Sequence, residues 1–341
     1  MEPFLVAFLV CLVLTPSVIR FATRRRLFDI PDERKIHHPE IPRLGGTAII
    51  SALLISTLLT SGPDTLIELR YFLAGLLMLF FVGLWDDMQT VSPLVKLLGE
   101  SIPVALITYF NLIPLHEFFP QFEWIQTIEW PFTLLISFWI VNAFNLVDGI
   151  NGLAGSIGML ALLGMGFLGD PVMYQLSFAF AGALLAFLFF NFVKPKIFMG
   201  DCGSLPIGYT LAFGMSHLSY DSSGIEFPSE PFIAFALMII PLFDMVRVFL
   251  IRIWYRKNPF TGDRNHLHHL LLETGLTHAG ATIRLVAVSI VTAGLSFYLS
   301  SLQINHSIQY FLYLLVFLLP SLIFTAILWN KVRRVRLSIA K

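Results

Sequence analysis

Lysine and arginine are confined to one side of a serial hydrophobic pattern, and this constrains the fold more than any other feature of the chain. Apolar intervals at 3–20, 46–61, 70–85, 95–113, 131–144, 152–168, 173–192, 203–219, 231–252, 283–300 and 308–329 alternate with polar connections. A helix needs about 20 apolar residues, and at the short end about 17, to cross the hydrocarbon core of a bilayer. When the connections are assigned alternately to two sides, 21 of the 22 Lys and Arg residues fall on the same side, and only Arg70 falls on the other. Cations accumulate in cytoplasmic loops, so the rich side is read as cytoplasmic. An even number of spans would scramble the partition. The pattern therefore predicts an all-α, polytopic integral membrane protein of about eleven transmembrane helices. Its N-terminus is periplasmic or extracellular and its C-terminus cytoplasmic.

Composition agrees. Only 13% of residues are charged, about half the share usual in soluble domains. The first apolar run has no basic residue before it and no small-residue cleavage site after it, which reads as a helix rather than a signal peptide. Cys11 and Cys202 form neither a disulfide pattern nor a metal-ligand spacing. No internal repeat appears, so residues 1–341 are read as one membrane-embedded domain. The intervals 46–61 and 131–144 are short, which predicts helices that stop beside a water-filled cavity.

The chemistry is concentrated in the cytoplasmic segments 20–46, 86–96, 142–152, 191–205 and 253–282. Carboxylates stand at the membrane ends of three different spans: Asp86 with Asp87, Asp148, and Asp201. Ionisable groups this close to hydrocarbon are costly and tend to mark function. Lys35, Lys96, Lys196, Arg264 and the histidines of His-Leu-His-His add cations. Oxygen donors with few sulfurs suit magnesium, which binds through one or two carboxylates plus substrate phosphate. Carboxylates, a hard metal and many cations around one cavity read as phosphoryl chemistry.

Plainer readings exist for each motif alone. Asp86-Asp87 could cap a helix end, and neighbouring helical residues point about 100° apart, so the two acids are not expected to share one role. Gly-Asp-Cys-Gly-Ser could be a turn before an N-capped helix, or its amides could form an anion nest beside Asp201. His266, His269 and Glu273 would share a face if helical; zinc is then conceivable, but no third ligand is evident. Arg24 to Arg26 read as a topology and anionic-lipid anchor.

The order Arg-Lys-Ile-His…Gly-Gly, Trp-Asp-Asp…Lys, Asn-Ala-Phe-Asn-Leu-Val-Asp-Gly, Lys-Ile-Phe-Met-Gly-Asp-Cys-Gly-Ser and Asp-Arg-Asn-His-Leu-His-His resembles the polyprenyl-phosphate N-acetylhexosamine-1-phosphate transferases over roughly residues 28–280. The His-Leu-His-His form is similar to the branch that starts O-antigen, enterobacterial common antigen or teichoic acid, not the peptidoglycan branch. The resemblance implies transfer of an N-acetylhexosamine-1-phosphate, GlcNAc-1-phosphate first among them, from a UDP-sugar to undecaprenyl phosphate with release of UMP. It implies a bacterial inner-membrane enzyme whose site faces the cytoplasm. It also implies magnesium, with manganese as an alternative, held by Asp201 and Asn145. Asp86 or Asp87 would deprotonate or position the lipid phosphate. Asp148, Lys96, Lys196, Gly203, Ser204, Arg264, His266, His268 and His269 would bind substrate, as would Lys35 and His37 in the first cytoplasmic segment. The expected partners are the UDP-sugar, the lipid phosphate and the bilayer, not nucleic acid; a homodimer is left open.

Three positions depart from the family pattern. Asn151 stands where a second Asp is usual, Glu100 where a neutral Gln is expected, and Lys194-Pro195 replaces Pro-Ala. The competing reading is a transporter or flippase with cytoplasmic gating charges. Such proteins place their sites near the midplane and show internal repeats, neither of which is seen here. An enzyme of CDP-activated alcohols would need a spaced Asp-Gly…Gly…Asp…Asp signature that this sequence lacks.

Overall fold

A computed structural model describes residues 1–28, 41–89, 91–110, 112–118, 122–221, 229–258, 264–302 and 304–339. Among them the chain is all helical, in the order α1 (Glu2–Arg24), α2 (Gly45–Thr60), α3 (Pro63–Met88), α4 (Pro93–Phe110), α5 (Leu115–Phe118), a 3-10 turn (Glu123–Ile128), α6 (Glu129–Val147), α7 (Leu153–Leu168), α8 (Pro171–Asn191), α9 (Asp201–Asp221), α10 (Glu230–Leu237), α11 (Ile239–Trp254), α12 (Leu267–Glu273), α13 (His278–Ser300) and α14 (His306–Ile339). Each predicted interval overlaps a helix, and 231–252 overlaps two. Seven helices are long and apolar enough to cross a bilayer, or eight counting the α10–α11 pair.

Two elements differ from the sequence reading. The interval 231–252 is not one straight span: α10 and α11 meet at a bend of 67°. Pro241 has no N–H to donate and stands in the first turn of α11, where a helix tolerates it; a helix running straight through would lose that bond. The interval 131–144 is not short, because helix extends back to Glu129. Glu129 reads as an interruption but is tied in. Its Oε1 accepts from the His116 backbone N–H at 2.8 Å and lies 2.6 Å from His116 Nδ1.

The bundle packs small side chains inward and large ones outward. On α1, Ala7, Cys11 and Thr15 are buried, whereas Leu5, Leu9 and Val13 are exposed. Helices in lipid gain little from hiding Leu from hydrocarbon, so their contacts favour small residues that let backbones approach. Phe81, Ile102, Leu135, Phe189, Phe297 and Ile327 are likewise exposed, far more apolar surface than a soluble protein tolerates.

α9 falls short of membrane-span hydropathy and yet sits at the centre. It packs on α2, α3, α6, α7 and α10, and residues 202–214 are continuously buried. A helix screened from lipid by its neighbours needs no apolar coat of its own. Its N-terminal turn is clamped by glycines. A Cβ on Gly46 of α2 would strike the backbone of Cys202 and Gly203, and one on Gly83 of α3 would strike that of Asp201. Hydrogen bonds from Gly45 N to the Phe198 carbonyl (2.9 Å) and from Gly46 N to the Met199 carbonyl (2.8 Å) tie the start of α2 to the approach to α9. The backbone at Asp201 is thereby fixed from two sides.

Candidate active site

At one end of the bundle, opposite the end where the N-terminal amine meets Tyr174, α3, α4, α6 and α9 converge. Asp86 and Asp87 close α3, Lys96 lies in the first turns of α4, Asn145 in the last turn of α6, and Asp201 opens α9. Lys96 Nζ is paired with Asp201 Oδ2 and lies 3.4 Å from Asp86 Oδ2. All three side chains are mostly buried, so the ammonium neutralises carboxylates in a medium that screens weakly.

The two neighbouring acids separate, as their angular spacing on a helix requires. Asp86 turns toward Lys96, and its Oδ1 accepts from the Val91 N–H at 2.8 Å. Asp87 turns toward α9: its Oδ1 and Oδ2 accept from the backbone N–H groups of Asp201 and Cys202, each at 2.9 Å. Asp87 is thus the N-terminal cap of α9, supplied from another helix, and a carboxylate there also complements the helix dipole.

That cap changes the expectation for Gly-Asp-Cys-Gly-Ser. Gly203 and Ser204 donate their N–H groups to the Gly200 carbonyl, both at 3.0 Å. With Asp87 on the first two amides, the anion held by this turn is the protein's own. Gly200 has φ +74°, and a Cβ there would strike the Arg43 carbonyl, so the tight turn into α9 requires glycine. Ser204 still faces the site through its hydroxyl, which donates to Asn145 Oδ1 at 2.6 Å. The carbonyl oxygen of Asn145, expected as a metal donor, is engaged in that bond.

Asp148 follows α6 and accepts from the Gly200 backbone; burial and the nearby Asp201 charge hold its carboxyl well above the usual range, against the opposing pull of Arg43. Its loop is fixed by Asn191, the last residue of α8. Asn191 Oδ1 accepts from Gly152 N–H at 2.7 Å, and its amide donates to the Ile197 carbonyl at 2.9 Å. Asn151, the departure from the usual acid, uses its backbone, donating to His278 Nδ1 at 3.3 Å and accepting from the Thr282 hydroxyl at 3.0 Å.

The histidine motif is built around a residue not singled out in the sequence. Asp244 of α11 is buried and lies 3.0 Å from His266 Nδ1. It accepts from the Leu267 N–H at 3.2 and 3.1 Å, and pairs with Arg247 at 2.7 Å. Arg247 also donates to the Asn265 carbonyl. Asp244 thus caps α12 and leaves His266 Nε2 as the ring nitrogen directed elsewhere. The signal was available: a carboxylate inside an apolar interval, three residues before an arginine, is costly unless it has a task. His268 is 2% exposed and abuts Gly149, at which a Cβ would strike the ring. The histidine segment is thereby joined to the Asp148 loop. Burial, then the neighbouring His269, pushes His268 well below the usual histidine range; burial and His266 lower His269.

Lys196 and Arg264 are exposed, outside the Asp86–Lys96–Asp201 group. Lys35 and His37 lie outside the described residues. Glu100, one turn along α4 from Lys96, is fully buried, and its Oε2 accepts from the Asn142 amide at 2.9 Å.

Among the described residues no three His, Cys, Asp or Glu side chains are grouped as ligands. Magnesium needs no such cage, since it keeps waters and takes one or two carboxylates with substrate phosphate. Asp86 and Asp201 already share one cation, the Lys96 ammonium, between all-oxygen donors. The residues present therefore fit a hard divalent ion.

The model of glycosyl transferase family 4 matches residues 69–218, which include Asp86, Asp87, Lys96, Asn145, Asp148 and Asp201. A Bacillus subtilis protein named as a probable undecaprenyl-phosphate N-acetylglucosaminyl 1-phosphate transferase is 30% identical, over 93% of this chain and 88% of its own. Undecaprenyl-phosphate alpha-N-acetylglucosaminyl 1-phosphate transferases of Haemophilus influenzae and Pasteurella multocida are each 32% identical, over 85% and 98% of this chain and 83% and 94% of theirs. Relatives this similar over nearly the whole length, with the family match across the converging helices, establish that the chain belongs to glycosyl transferase family 4.

Proposed function

We propose that this protein transfers N-acetylglucosamine-1-phosphate from UDP-N-acetylglucosamine to undecaprenyl phosphate in the bacterial inner membrane, opening a cell-surface polysaccharide pathway. The observation that carries the reading is the convergence of Asp86, Lys96 and Asp201 from three helices at one end of the bundle, in a chain whose relatives bear that activity in their names. The membrane arrangement that goes with it has eleven crossings, the N-terminus outside and the C-terminus inside. The convergent end then faces the cytoplasm, where a soluble nucleotide sugar meets a lipid phosphate at the bilayer surface. Its support is the cation partition of the sequence and the helix at each predicted interval.

In the reaction, an oxygen of the lipid phosphate attacks the sugar-bearing phosphorus of the donor. A new P–O bond forms, the bond to the bridging oxygen breaks, and that oxygen leaves with UMP. Asp86 accepts or holds the proton of the acceptor phosphate. This is favoured over Asp87, both of whose oxygens are occupied by the amides of α9. Lys96 neutralises the phosphate oxygens that crowd the site. Asp148 and the histidine segment border the same space and hold the donor, His266 being oriented by Asp244. Asp201, with Asn145 beside it, would hold magnesium, which would supply neutralisation of the diphosphate charge.

The purified protein with undecaprenyl phosphate, magnesium and radiolabelled UDP-N-acetylglucosamine should release UMP and yield a labelled lipid. Absence of product with every UDP-N-acetylhexosamine tried, at saturating lipid, would sink the assignment.

A further inference from the structure

A cavity of about 530 Å³ opens between the ends of α11 and α14, apart from the Asp86–Lys96–Asp201 group. Arg247, Arg252 and Lys257 line it together with the rings of Trp254, Tyr255 and Trp329. Trp254 is 84% exposed and Trp329 44%, although indoles in a soluble protein are generally covered. Both helices end here as apolar spans, and the exposed Lys331 and Arg333 follow Trp329 along α14. Aromatic rings at this depth belong to the headgroup level of a bilayer, where an amphipathic ring meets both glycerol and water. Cations beside them attract anionic headgroups.

We propose that this cavity binds the headgroup of an anionic phospholipid. Its phosphodiester lies against Arg252 and Lys257, and its glycerol and upper chains lie along Trp254, Tyr255 and Trp329. A lipid rather than a free anion is the occupant because the cations are lined up with apolar and aromatic surface continuous with two membrane helices. Arg247 is shared: it lines the cavity and also holds Asp244 and the Asn265 carbonyl. The lipid site and the histidine segment are therefore joined through one guanidinium. The proposal rests on α11 and α14 being membrane-embedded and is independent of which sugar is transferred.

The full-length protein in detergent is titrated with phosphatidylglycerol, phosphatidylcholine, inorganic phosphate and undecaprenyl phosphate, with bound lipid counted by native mass spectrometry. One phosphatidylglycerol per chain should be retained against excess phosphatidylcholine and millimolar phosphate. Lys257→Gln, at an exposed side chain that folding does not need, should weaken this retention about fivefold. Lys194→Gln, an exposed cation elsewhere, should leave it unchanged, and Trp254→Ala should weaken it without altering the thermal midpoint. Equal retention of phosphatidylcholine, displacement by inorganic phosphate or by equimolar undecaprenyl phosphate, or equal behaviour of Lys257→Gln and Lys194→Gln would each overturn the proposal.

Discussion

Two adjacent aspartates illustrate how much a single residue's direction decides. Asp86 and Asp87 are chemically identical and one position apart, yet one faces an ammonium and the other a helix terminus. Their substitutions should separate accordingly. Asp87→Ala removes a cap, costs about 0.5–2 kcal/mol and should lower the thermal midpoint. Asp86→Asn should leave that midpoint nearly unchanged and abolish UMP release; near-normal turnover in Asp86→Asn would remove it from the reaction. A pH dependence belongs at the same scale. Burial holds His268 well below its usual range, so the folded protein keeps it neutral. Below about pH 6.5 the unfolded chain takes up a proton at this histidine that the folded chain does not. Stability is therefore lost as pH falls through that value, and His268→Gln should flatten the midpoint-against-pH curve between about pH 6.5 and 5. Parallel curves for variant and parent would refute it.

Among helices, the decisive contacts are those that hold two termini in place. The α2–α9 contact runs through glycine, and Gly46→Ala would drive a methyl into the Gly203 backbone. Overpacking of this kind costs about 1–3 kcal/mol. Because the displaced element carries Asp201, turnover should fall further than stability alone accounts for, checked by activity per folded molecule. The other terminus is α12, held by Asp244 from α11. Asp244→Asn leaves Arg247 buried beside a neutral group, and breaking a buried pair costs about 3–5 kcal/mol. The paired variant Asp244→Asn/Arg247→Gln should recover much of the lost thermal midpoint; no recovery would mean that Arg247 is not the partner that matters. The glycine contact was partly visible in the sequence. Gly45-Gly46 and Gly-Asp-Cys-Gly stood out as motifs, but their mutual contact joins residues more than 150 positions apart, and no local spacing encodes it.

For the molecule as a whole, lipid and protein divide the helices into two kinds. α1 and α14 keep an apolar side outward, whereas α9 is wrapped by its neighbours and is only weakly apolar. A test of length and hydropathy therefore finds α1 and α14 and passes over α9. The proposed eleven-crossing arrangement fixes the side of the C-terminus. A fluorescent reporter fused at the C-terminus should fold and glow, and an alkaline phosphatase fused there should stay inactive. The reverse result would place the convergent acids outside, away from any cytosolic nucleotide sugar.

Period, charge and motif order, all local properties of a chain, determined the helical membrane class, the positions of the helical intervals and the gathering of the acids at one end of the bundle. They also picked out Asp86, Lys96 and Asp201. Three things depended on where distant segments meet. The tertiary structure turned Asp87 inward as the cap of α9, closed the Gly203 and Ser204 amides on the Gly200 carbonyl, and made Asp244 the support of His266. The physical reason is that a buried charge or an orphan amide must find its partner in space. In a bundle of helices crossing back and forth, that partner is supplied by whichever helix lies alongside, not by the nearest residue in the chain.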